Sequence, residues 1–312
     1  MTENVNQLTV ETPGTESPGT EGPRSRSLWD DAWRAMRRNP IFWIAIVLLV
    51  VMGSMAVVPN LWAPKDPLIC DLTHARELPS RTAIFGYDQQ GCDLWTRTVH
   101  GARSSILVGV LTTLGTMLLG SLVGILAGFF GGWLDAVLSR LADVFFAIPL
   151  LLGGIIILYT FSAPGQPYFV VILKVVFAIA ILGWPTIARL MRSSVLQVKS
   201  NDYVQAARAL GAGPGRLISS HILPNAMAPV IVVSTINLGA YIALEATLSF
   251  LGIGLQAPAI SWGLAISEAS GLGLIRSVPH MLLFPSLFLS LTVLSFILLG
   301  EAVRDALDPK LR

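Results

Sequence analysis

The sequence predicts an all-α integral membrane protein that crosses the bilayer six times. Hydrophobic residues make up 53% of the 312-residue chain and charged residues only 13%, about half the charged share of a typical soluble domain. Six apolar runs have roughly the length that a helix needs to cross the hydrocarbon layer. A soluble helical bundle would fit the hydrophobic composition, but it does not need runs of this length.

The N-terminal 40 residues divide into two parts. Residues 1–27 are rich in Thr, Glu, Pro, Gly and Ser without apolar periodicity, which is typical of a disordered tail. In residues 28–40, Trp29, Trp33 and Met36 recur on one helical face while arginines occupy the others. This pattern predicts an amphipathic helix that lies in the headgroup layer. A plain basic flank of the first span is the alternative.

The six predicted spans form a membrane domain of residues 41–312. Glycines in the second span recur at spacings that allow close contact with another helix, namely Gly109, Gly115, Gly120, Gly124 and Gly128. Pro149 is placed to kink the third span. The predicted spans are residues 41–58, 104–130, 141–159, 168–190, 225–255 and 280–300.

The distribution of basic residues orients these spans. If the N-terminus is inside, the inside segments carry fourteen Lys and Arg residues and the outside segments carry six. This excess predicts an N-in, C-in topology with a cytoplasmic tail. The long loop 59–103 then lies outside the cytoplasm, in an oxidising compartment. Its cysteines, Cys70 and Cys92, either form a disulfide or remain two free thiols, and the residues leave both open.

A polar, glycine-rich segment at 199–224 interrupts the apolar pattern between the fourth and fifth spans. Its first helix is expected to begin at Tyr203 and to end at Gly211, because glycine readily adopts the left-handed conformation of a helix C-cap. A second short helix is expected at Pro214, since proline is a favoured first helical residue, and the next span near Pro224. Two short cytoplasmic helices joined by an elbow would offer a surface to a partner protein.

The spacing of residues within 203–224 resembles a signature of the membrane subunits of ABC importers. Gln205-Ala206-Ala207-x-x-x-Gly211 is followed after nine residues by His221-x-Leu223-Pro224, which is similar to E-A-A-x-x-x-G-x9-I-x-L-P. In that family the signature forms the cytoplasmic segment on which the ATPase subunit docks. The resemblance implies an ATPase-coupling role for Tyr203, Gln205, Ala206, Ala207, Gly211, His221, Leu223 and Pro224.

Two positions depart from that signature. Glutamine stands at position 205 where the family has glutamate, and histidine stands at 221 where it has isoleucine. Gln205 keeps the capacity to form hydrogen bonds but loses the charge that an ion pair with the ATPase would need.

Other stretches narrow the resemblance to the C-type permease subunits of dipeptide and oligopeptide importers, over residues 28–312. The stretch 85–93 is similar to the L-G-T-D-x-x-G-R-D of that family, with Cys92 in place of arginine, and 101–105 is similar to its G-A-R-x-S. The stretches 244–252 and 261–263 and the pair Asp308-Pro309 match the family as well.

This resemblance implies the type I ABC importer permease fold in the bacterial plasma (inner) membrane. It implies a heterodimer with a second, B-type permease subunit, together with two ATP-binding subunits and an extracytoplasmic solute-binding protein. The chain lacks the G-x-x-x-x-G-K-[ST] phosphate loop, so ATP and Mg²⁺ are expected to be bound by the ATPase partners. The chain itself is expected to be no enzyme and to hold no cofactor, metal or nucleic acid.

The implied function is import of peptides through a pathway of which this chain forms half. The alternatives are the same architecture importing a nickel chelate, haem or an oligosaccharide, and a secondary transporter, which the absence of an internal repeat disfavours. Glu245 at membrane depth is costly unless paired. It either lines the translocation path or hydrogen-bonds a neighbouring helix. Lys174, near the outer end of the fourth span, is expected to snorkel toward the surface.

Overall fold

A computed structural model describes residues 28–161, 163 and 165–307 of the chain. The predicted tail (1–27) and the Asp308-Pro309 pair lie outside these residues. Within them the chain is helical, and extended backbone pairs only in isolated bridges, Cys70 with Cys92 and Tyr87 with Asp93. The helices are α1 (Leu28–Arg38), α2 (Pro40–Val57), α3 (Pro59–Trp62), α4 (Leu94–Phe130), α5 (Gly132–Phe146), α6 (Leu150–Thr160), α7 (Tyr168–Lys199), α8 (Asp202–Ala209), α9 (Pro214–Arg216), α10 (Leu223–Phe250), α11 (Trp262–Ala269), α12 (Leu272–Ser277) and α13 (His280–Leu307).

Five helices among the described residues are long and apolar enough to cross a membrane, and α5 with α6 makes a sixth span if that bent pair counts as one. The five are α2, α4, α7, α13 and the helix Pro214–Phe250. This last helix contains α9, a π-helical turn (Leu217–Ile222) and α10 without a break. The predicted all-α membrane fold is confirmed, and the six predicted spans correspond to these five helices and the bent pair.

Three predicted spans are parts of longer helices. α4 begins at Leu94 rather than 104, α7 continues to Lys199 rather than 190, and α13 continues to Leu307 rather than 300. Hydropathy marks only the apolar part of a helix, whereas the ladder of backbone hydrogen bonds runs on through polar turns. At the start of α4, the side chain of Asp93 caps the helix by accepting a hydrogen bond from the Thr96 amide (3.1 Å).

The third span is broken rather than kinked. The sequence predicted one helix over 141–159, but α5 ends at Phe146, α6 begins at Leu150, and the two axes differ by 83°. Pro149 lacks an amide hydrogen and disfavours helical backbone at the residue before it. The helix therefore stops ahead of Pro149 and restarts in a new direction after it.

α5 crosses α7 and is held to it by two ion pairs. Asp135 accepts two hydrogen bonds from Arg192, at 2.5 and 2.6 Å, and Asp143 accepts one from Arg189 at 2.7 Å. The acidic residues are eight positions apart on α5, about 12 Å, while the arginines are three positions apart on α7, about 4.5 Å. Arginine side chains are long enough to bridge this difference in spacing, so the two ion pairs fasten α5 to α7 at both ends of the interval Asp135–Asp143.

α1 forms as predicted and lies against α2. The ring of Trp33 meets Phe42 edge-on, with centroids 6.0 Å apart, and the guanidinium of Arg37 lies 4.9 Å from the centre of the Trp33 ring. The indole of Trp43 also donates a hydrogen bond to the Arg37 carbonyl (3.0 Å). The position of α1 in the headgroup layer stays a prediction.

A stripe of glycines allows α4 and α7 to pack in close contact, as the spacing in the second span predicted. A Cβ atom at Gly120 would lie 2.6 Å from the Cβ of Ile187, and one at Gly124 would lie 2.5 Å from the carbonyl oxygen of Ala188. Gly109 faces α10 instead, where an added Cβ would lie 2.4 Å from Ile242. Lipid offers no hydrophobic force between helices, so such close packing is a main source of their association.

The segment between α3 and α4, outside the cytoplasm in the predicted topology, is stabilised by a disulfide and by a buried carboxylate. Cys70 and Cys92 are joined by a disulfide bond. Asp88 accepts hydrogen bonds from the amides of Gln90 (2.8 Å) and Cys92 (2.9 Å) and forms an ion pair with Arg97. These contacts give the segment a defined structure directly ahead of α4.

Replacing Gly124 with alanine is expected to destabilise the protein by about 1–3 kcal/mol, because α4 and α7 would have to separate. Thermal unfolding of the purified protein in detergent measures the effect as a lower Tm. Gly53→Ala in α2 is the matched control, since no atom lies within 4 Å of its added Cβ, and its Tm should be unchanged or higher. Equal Tm values for the two variants would contradict the packing described here.

Cys70 and Cys92 are expected to be linked in protein isolated from membranes. Mass spectrometry of non-reduced peptides should recover the crosslinked pair, and a maleimide should label both thiols only after reduction. The bond closes a loop with a sequence separation of 22, for which chain entropy gives about 3 kcal/mol of stabilisation. Reduction should therefore lower the Tm. Labelling of two thiols without reductant would be the contrary result.

Candidate functional site

The segment 199–224 is seated on the ends of α4, α7 and α10 by an apolar face. Val204 of α8, and Leu217 and Ile222 of the π-helical turn, are fully buried. They belong to one hydrophobic cluster with Phe129 at the end of α4 and Val198 at the end of α7. Sequence reasoning missed these anchors, although apolar side chains recurring in a polar segment were the available signal. The segment is therefore a packed part of the helix bundle.

The elbow after α8 is closed by a Schellman motif. Gly211 has a φ of +86°, as predicted for a left-handed C-cap. The amide of Gly211 donates to the carbonyl of Arg208 (3.0 Å), and the amide of Ala212 donates to the carbonyl of Ala207 (3.0 Å), which is the hydrogen-bond pattern of that motif. No atom lies within 4 Å of a Cβ added to Gly211. Glycine is therefore required by the backbone conformation and not by crowding.

The expected second short helix, and the expected start of the fifth span at Pro224, are wrong. Pro214 does begin a helix, but that helix continues to Phe250. In the π-helical turn the amide of Leu223 donates to the carbonyl of Ile218, five residues back instead of four. Pro224 has no amide hydrogen to donate, and this shift in register lets the hydrogen-bond ladder continue past it. The proline therefore does not end the helix.

The outward face of α8 carries apolar and small side chains. Tyr203 is 44% exposed, Leu210 is 89% exposed, and Ala206 is exposed as well. Ala207, by contrast, packs partly buried against the hydrophobic cluster, so the two alanines of the signature differ in exposure. Leu210 was not singled out from the sequence. Single exposed apolar side chains are common on protein surfaces, so the role of this face in docking a partner stays a prediction.

Gln205 ties α8 to the end of α7. Its Nε2 atom donates a hydrogen bond to the carbonyl of Lys199 (2.9 Å), and the Lys199 ammonium donates to the carbonyl of Phe129 at the end of α4 (2.5 Å). A glutamate at 205 could not donate this bond, because an ionised carboxylate only accepts. The departure from the family signature therefore adds a contact within this chain.

The remaining residues of the predicted coupling set lie in or beside the π-helical turn. His221 and Leu223 are partly buried, and Pro224 is exposed. The carbonyl of His221 accepts a hydrogen bond from the Nδ2 atom of Asn225 (2.7 Å). These residues are separated from the exposed face of α8 by the elbow, and they lie on the helix that continues into the membrane.

Glu245 lies far along α10 from this segment. It is 0% exposed, and its Oε1 atom accepts a hydrogen bond from the hydroxyl of Ser249 (2.7 Å) one turn along the same helix. The Ser249 oxygen in turn accepts from the amide of Leu255 (2.9 Å). In this conformation the carboxylate therefore faces no open path. Its role in translocation stays a prediction.

Metal ligands do not assemble in the part of the chain that the structure describes. No three side chains of His, Cys, Asp or Glu come together there as ligands would.

Comparisons with known proteins show which family this chain is similar to. Residues 120–312 match the family described as "Binding-protein-dependent transport system inner membrane component", and residues 27–79 match the "N-terminal TM domain of oligopeptide transport permease C". The chain is 38% identical over 289 residues to the oligopeptide transport system permease protein OppC of Bacillus subtilis (strain 168), covering 93% of this chain and 92% of the relative. It is also 38% identical over 289 residues to the dipeptide transport system permease protein DppC of that strain, covering 92% of this chain and 88% of the relative.

A solved structure of the MetNI methionine ABC transporter in an inward-facing conformation shares the fold. The likeness covers 66% of this chain and 96% of that chain, with 18% sequence identity and a TM-score of 0.50. Identity at this level relates the two proteins by fold alone.

Gln205→Glu is expected to loosen α8, because the hydrogen bond to the Lys199 carbonyl is lost. A net loss of about 0.5–1.5 kcal/mol should speed hydrogen exchange of the amides in 202–209 by roughly two- to tenfold, as measured by mass spectrometry in detergent. Gln197→Glu introduces the same charge at an exposed position of α7 and should leave exchange in α8 unchanged. Equal exchange in both variants would contradict the tether.

Proposed function

We propose, because the chain belongs to the family of binding-protein-dependent transport system inner membrane components, that it forms half of the translocation pathway of an ATP-driven peptide importer. A second permease subunit supplies the other half. Two ATP-binding subunits act from the cytoplasm, and an extracytoplasmic binding protein delivers the cargo. ATP and Mg²⁺ are bound by the ATPase subunits in this proposal, and this chain carries out no catalysis.

α8 is joined to the helix Pro214–Phe250 by one short elbow, and this direct connection is the observation that carries the proposal. This helix has 37 residues, about 55 Å at 1.5 Å per residue, and it begins three residues after Gly211. An ATPase subunit that docks on Tyr203, Ala206 and Leu210 would therefore act on a complete membrane helix through one elbow. The hydrogen bond from Gln205 to Lys199 passes the same displacement to α7.

Transport follows from this coupling. When ATP closes the ATPase dimer, the two copies of the docking surface, one on each permease subunit, are drawn together. The membrane helices tilt with them, and the pathway between the subunits changes from inward-facing to outward-facing. The segment 59–93 and the connection 251–279 lie at the opposite end of the bundle in the predicted topology. The binding protein releases its cargo there.

Peptides are the proposed cargo because the two relatives that are 38% identical are named for oligopeptide and dipeptide transport. The chain covers about nine-tenths of each relative, so the comparison includes the membrane helices that would meet the cargo. A binding protein that holds a nickel chelate, haem or an oligosaccharide instead would redirect the proposal to that cargo.

Uptake into liposomes tests the proposal with all partner subunits present. A radiolabelled peptide should accumulate only with ATP, the ATPase subunits and the loaded binding protein. Uptake that persists without the ATPase subunits would identify a secondary transporter and overturn the proposal.

Gly211→Val tests the elbow in the same assay. Valine at a φ of +86° costs about 1–3 kcal/mol, so we expect uptake and stimulated ATP hydrolysis to fall roughly tenfold or more while membrane insertion is unchanged. Gly213→Val is the matched control, because Gly213 has a φ of −70° and no atom within 4 Å of its added Cβ. Undiminished uptake by Gly211→Val would show that the elbow does not couple.

A further inference from the structure

Lys174 brings a positive charge into the outer part of α7 that no acidic side chain nearby compensates. It is the one charged residue between positions 144 and 188, and the sequence has no Asp or Glu between Asp143 and Asp202. Its ammonium donates hydrogen bonds to the carbonyl of Phe161 and to Oε1 of Gln166, both neutral acceptors. These acceptors use two of the three N–H groups of the ammonium and leave its charge without a counter-ion, which is costly at membrane depth.

The ammonium borders a cavity of about 170 Å³. Gly165 and Gln166 form one wall ahead of α7, and α7 itself supplies Lys174. The turn after α10 forms the opposite wall with Gly254 and Gln256. The sequence contains no charged residue from 246 to 267, so this second wall also lacks an acid. The cavity thus combines one positive charge with two side-chain amides.

The first residues of the wall after α10 are tied to the helix end by hydrogen bonds of their backbone amides. The amides of Ile253 (3.1 Å) and Gly254 (2.9 Å) donate to the carbonyl of Leu248. The amide of Leu255 donates to the Ser249 hydroxyl, which donates to the buried Glu245. Glu245 therefore supports the cavity wall from behind and does not neutralise Lys174 within the cavity.

We propose that this cavity binds the carboxylate at the C-terminus of a peptide in transit, with Lys174 as its ion-pair partner. The inference rests on the proposed function, since a peptide cargo supplies the carboxylate. Pockets that enclose a whole small ligand measure about 300–1,000 Å³, so a cavity of 170 Å³ accommodates one end group rather than a peptide. Lys174 lies six residues inside the start of α7, about 9 Å along the helix, where cargo would pass early in transport.

The other oxyanion at this depth is the phosphate of a lipid. The carboxylate is favoured because the ammonium is directed to Phe161 and Gln166 at the turn, and Gln166 lines the same polar cavity. A phosphate attached to two acyl chains would have to be reached from the apolar side of Lys174, where Leu173 and Phe177 are exposed.

The test compares a radiolabelled tripeptide with its C-terminal amide in liposomes that hold the full transporter and its loaded binding protein. Because the binding protein is the same throughout, a change in the ratio of the two uptake rates reports on this chain. Lys174→Met should lower the preference for the free carboxylate about tenfold, as expected for loss of one charge-assisted hydrogen bond. Lys174→Arg should retain most of the preference. Arg34→Met, which removes a positive charge from an exposed position of α1, should leave the ratio unchanged.

The outcomes distinguish a carboxylate subsite from a structural role of Lys174, from lipid binding and from failure of the proposed function. An unchanged ratio in Lys174→Met, with peptide uptake intact, would overturn the subsite and leave the proposed function standing. Equal loss of both peptides in Lys174→Met and Lys174→Arg would assign the lysine to structure and overturn the subsite. A loss seen only when phosphatidylglycerol replaces phosphatidylcholine, equal for both peptides, would assign the lysine to a lipid headgroup of net negative charge and overturn the subsite. No uptake of either peptide by the unchanged protein would overturn both the function and the subsite.

Discussion

The close approach of α4 and α7 is the contact on which the other helices depend. At Gly120 and Gly124 the two backbones approach so closely that a single methyl group would clash with α7. Within lipid this packing has to replace the hydrophobic force that joins helices in water. α5 begins directly after α4 and is joined to α7 by ion pairs. α6 packs on the outer half of α7, and α8 follows the inner end of α7. A change in the α4–α7 distance would therefore move every one of these elements.

The π-helical turn at Leu217–Ile222 decides how the elbow and the membrane helix are connected. An α-helical register would set the ring of Pro224 against the carbonyl four residues back, a clash that kinks or breaks a helix. With one hydrogen bond that reaches five residues back, the helix stays continuous. The break between α8 and this helix is then confined to the short elbow at Gly211, which is the connection on which the proposed coupling depends.

The two charged residues Glu245 and Lys174, in the outer half of the bundle, have different surroundings. The carboxylate of Glu245 is closed off and receives a hydrogen bond from Ser249, which in turn anchors the turn after α10. The ammonium of Lys174 donates hydrogen bonds only to neutral acceptors, and it borders a cavity. A buried acid that is hydrogen-bonded to its own helix is suited to hold structure, while a base that lacks a counter-ion is suited to hold a ligand. The turn that Glu245 supports is also a wall of the cavity at Lys174, so the two groups belong to one arrangement.

Much of the fold and part of the candidate site could be predicted from the sequence. Run length and composition predicted the membrane helices, because crossing about 30 Å of hydrocarbon leaves few choices of residue. The glycine spacing predicted close packing in the second span, and the left-handed preference of glycine predicted the elbow at Gly211. Hydropathy could not find the helix ends, since the polar turns of α4 and α7 continue the same hydrogen bonds beyond the bilayer.

Other features were decided by the tertiary structure, because they depend on which groups meet. Proline signals a possible break in both α5–α6 and at Pro224, yet only Pro149 breaks a helix. Ahead of Pro149, α5 is paired through Asp135 and Asp143 with arginines of α7, whereas ahead of Pro224 the π-helical turn keeps the helix continuous and is buried through Leu217 and Ile222. The sequence by itself determined the membrane helices and the left-handed elbow, which are properties of local composition. Packing between distant residues determined which proline interrupts a helix, which alanine of Ala206-Ala207 stays exposed, and that Glu245 is enclosed.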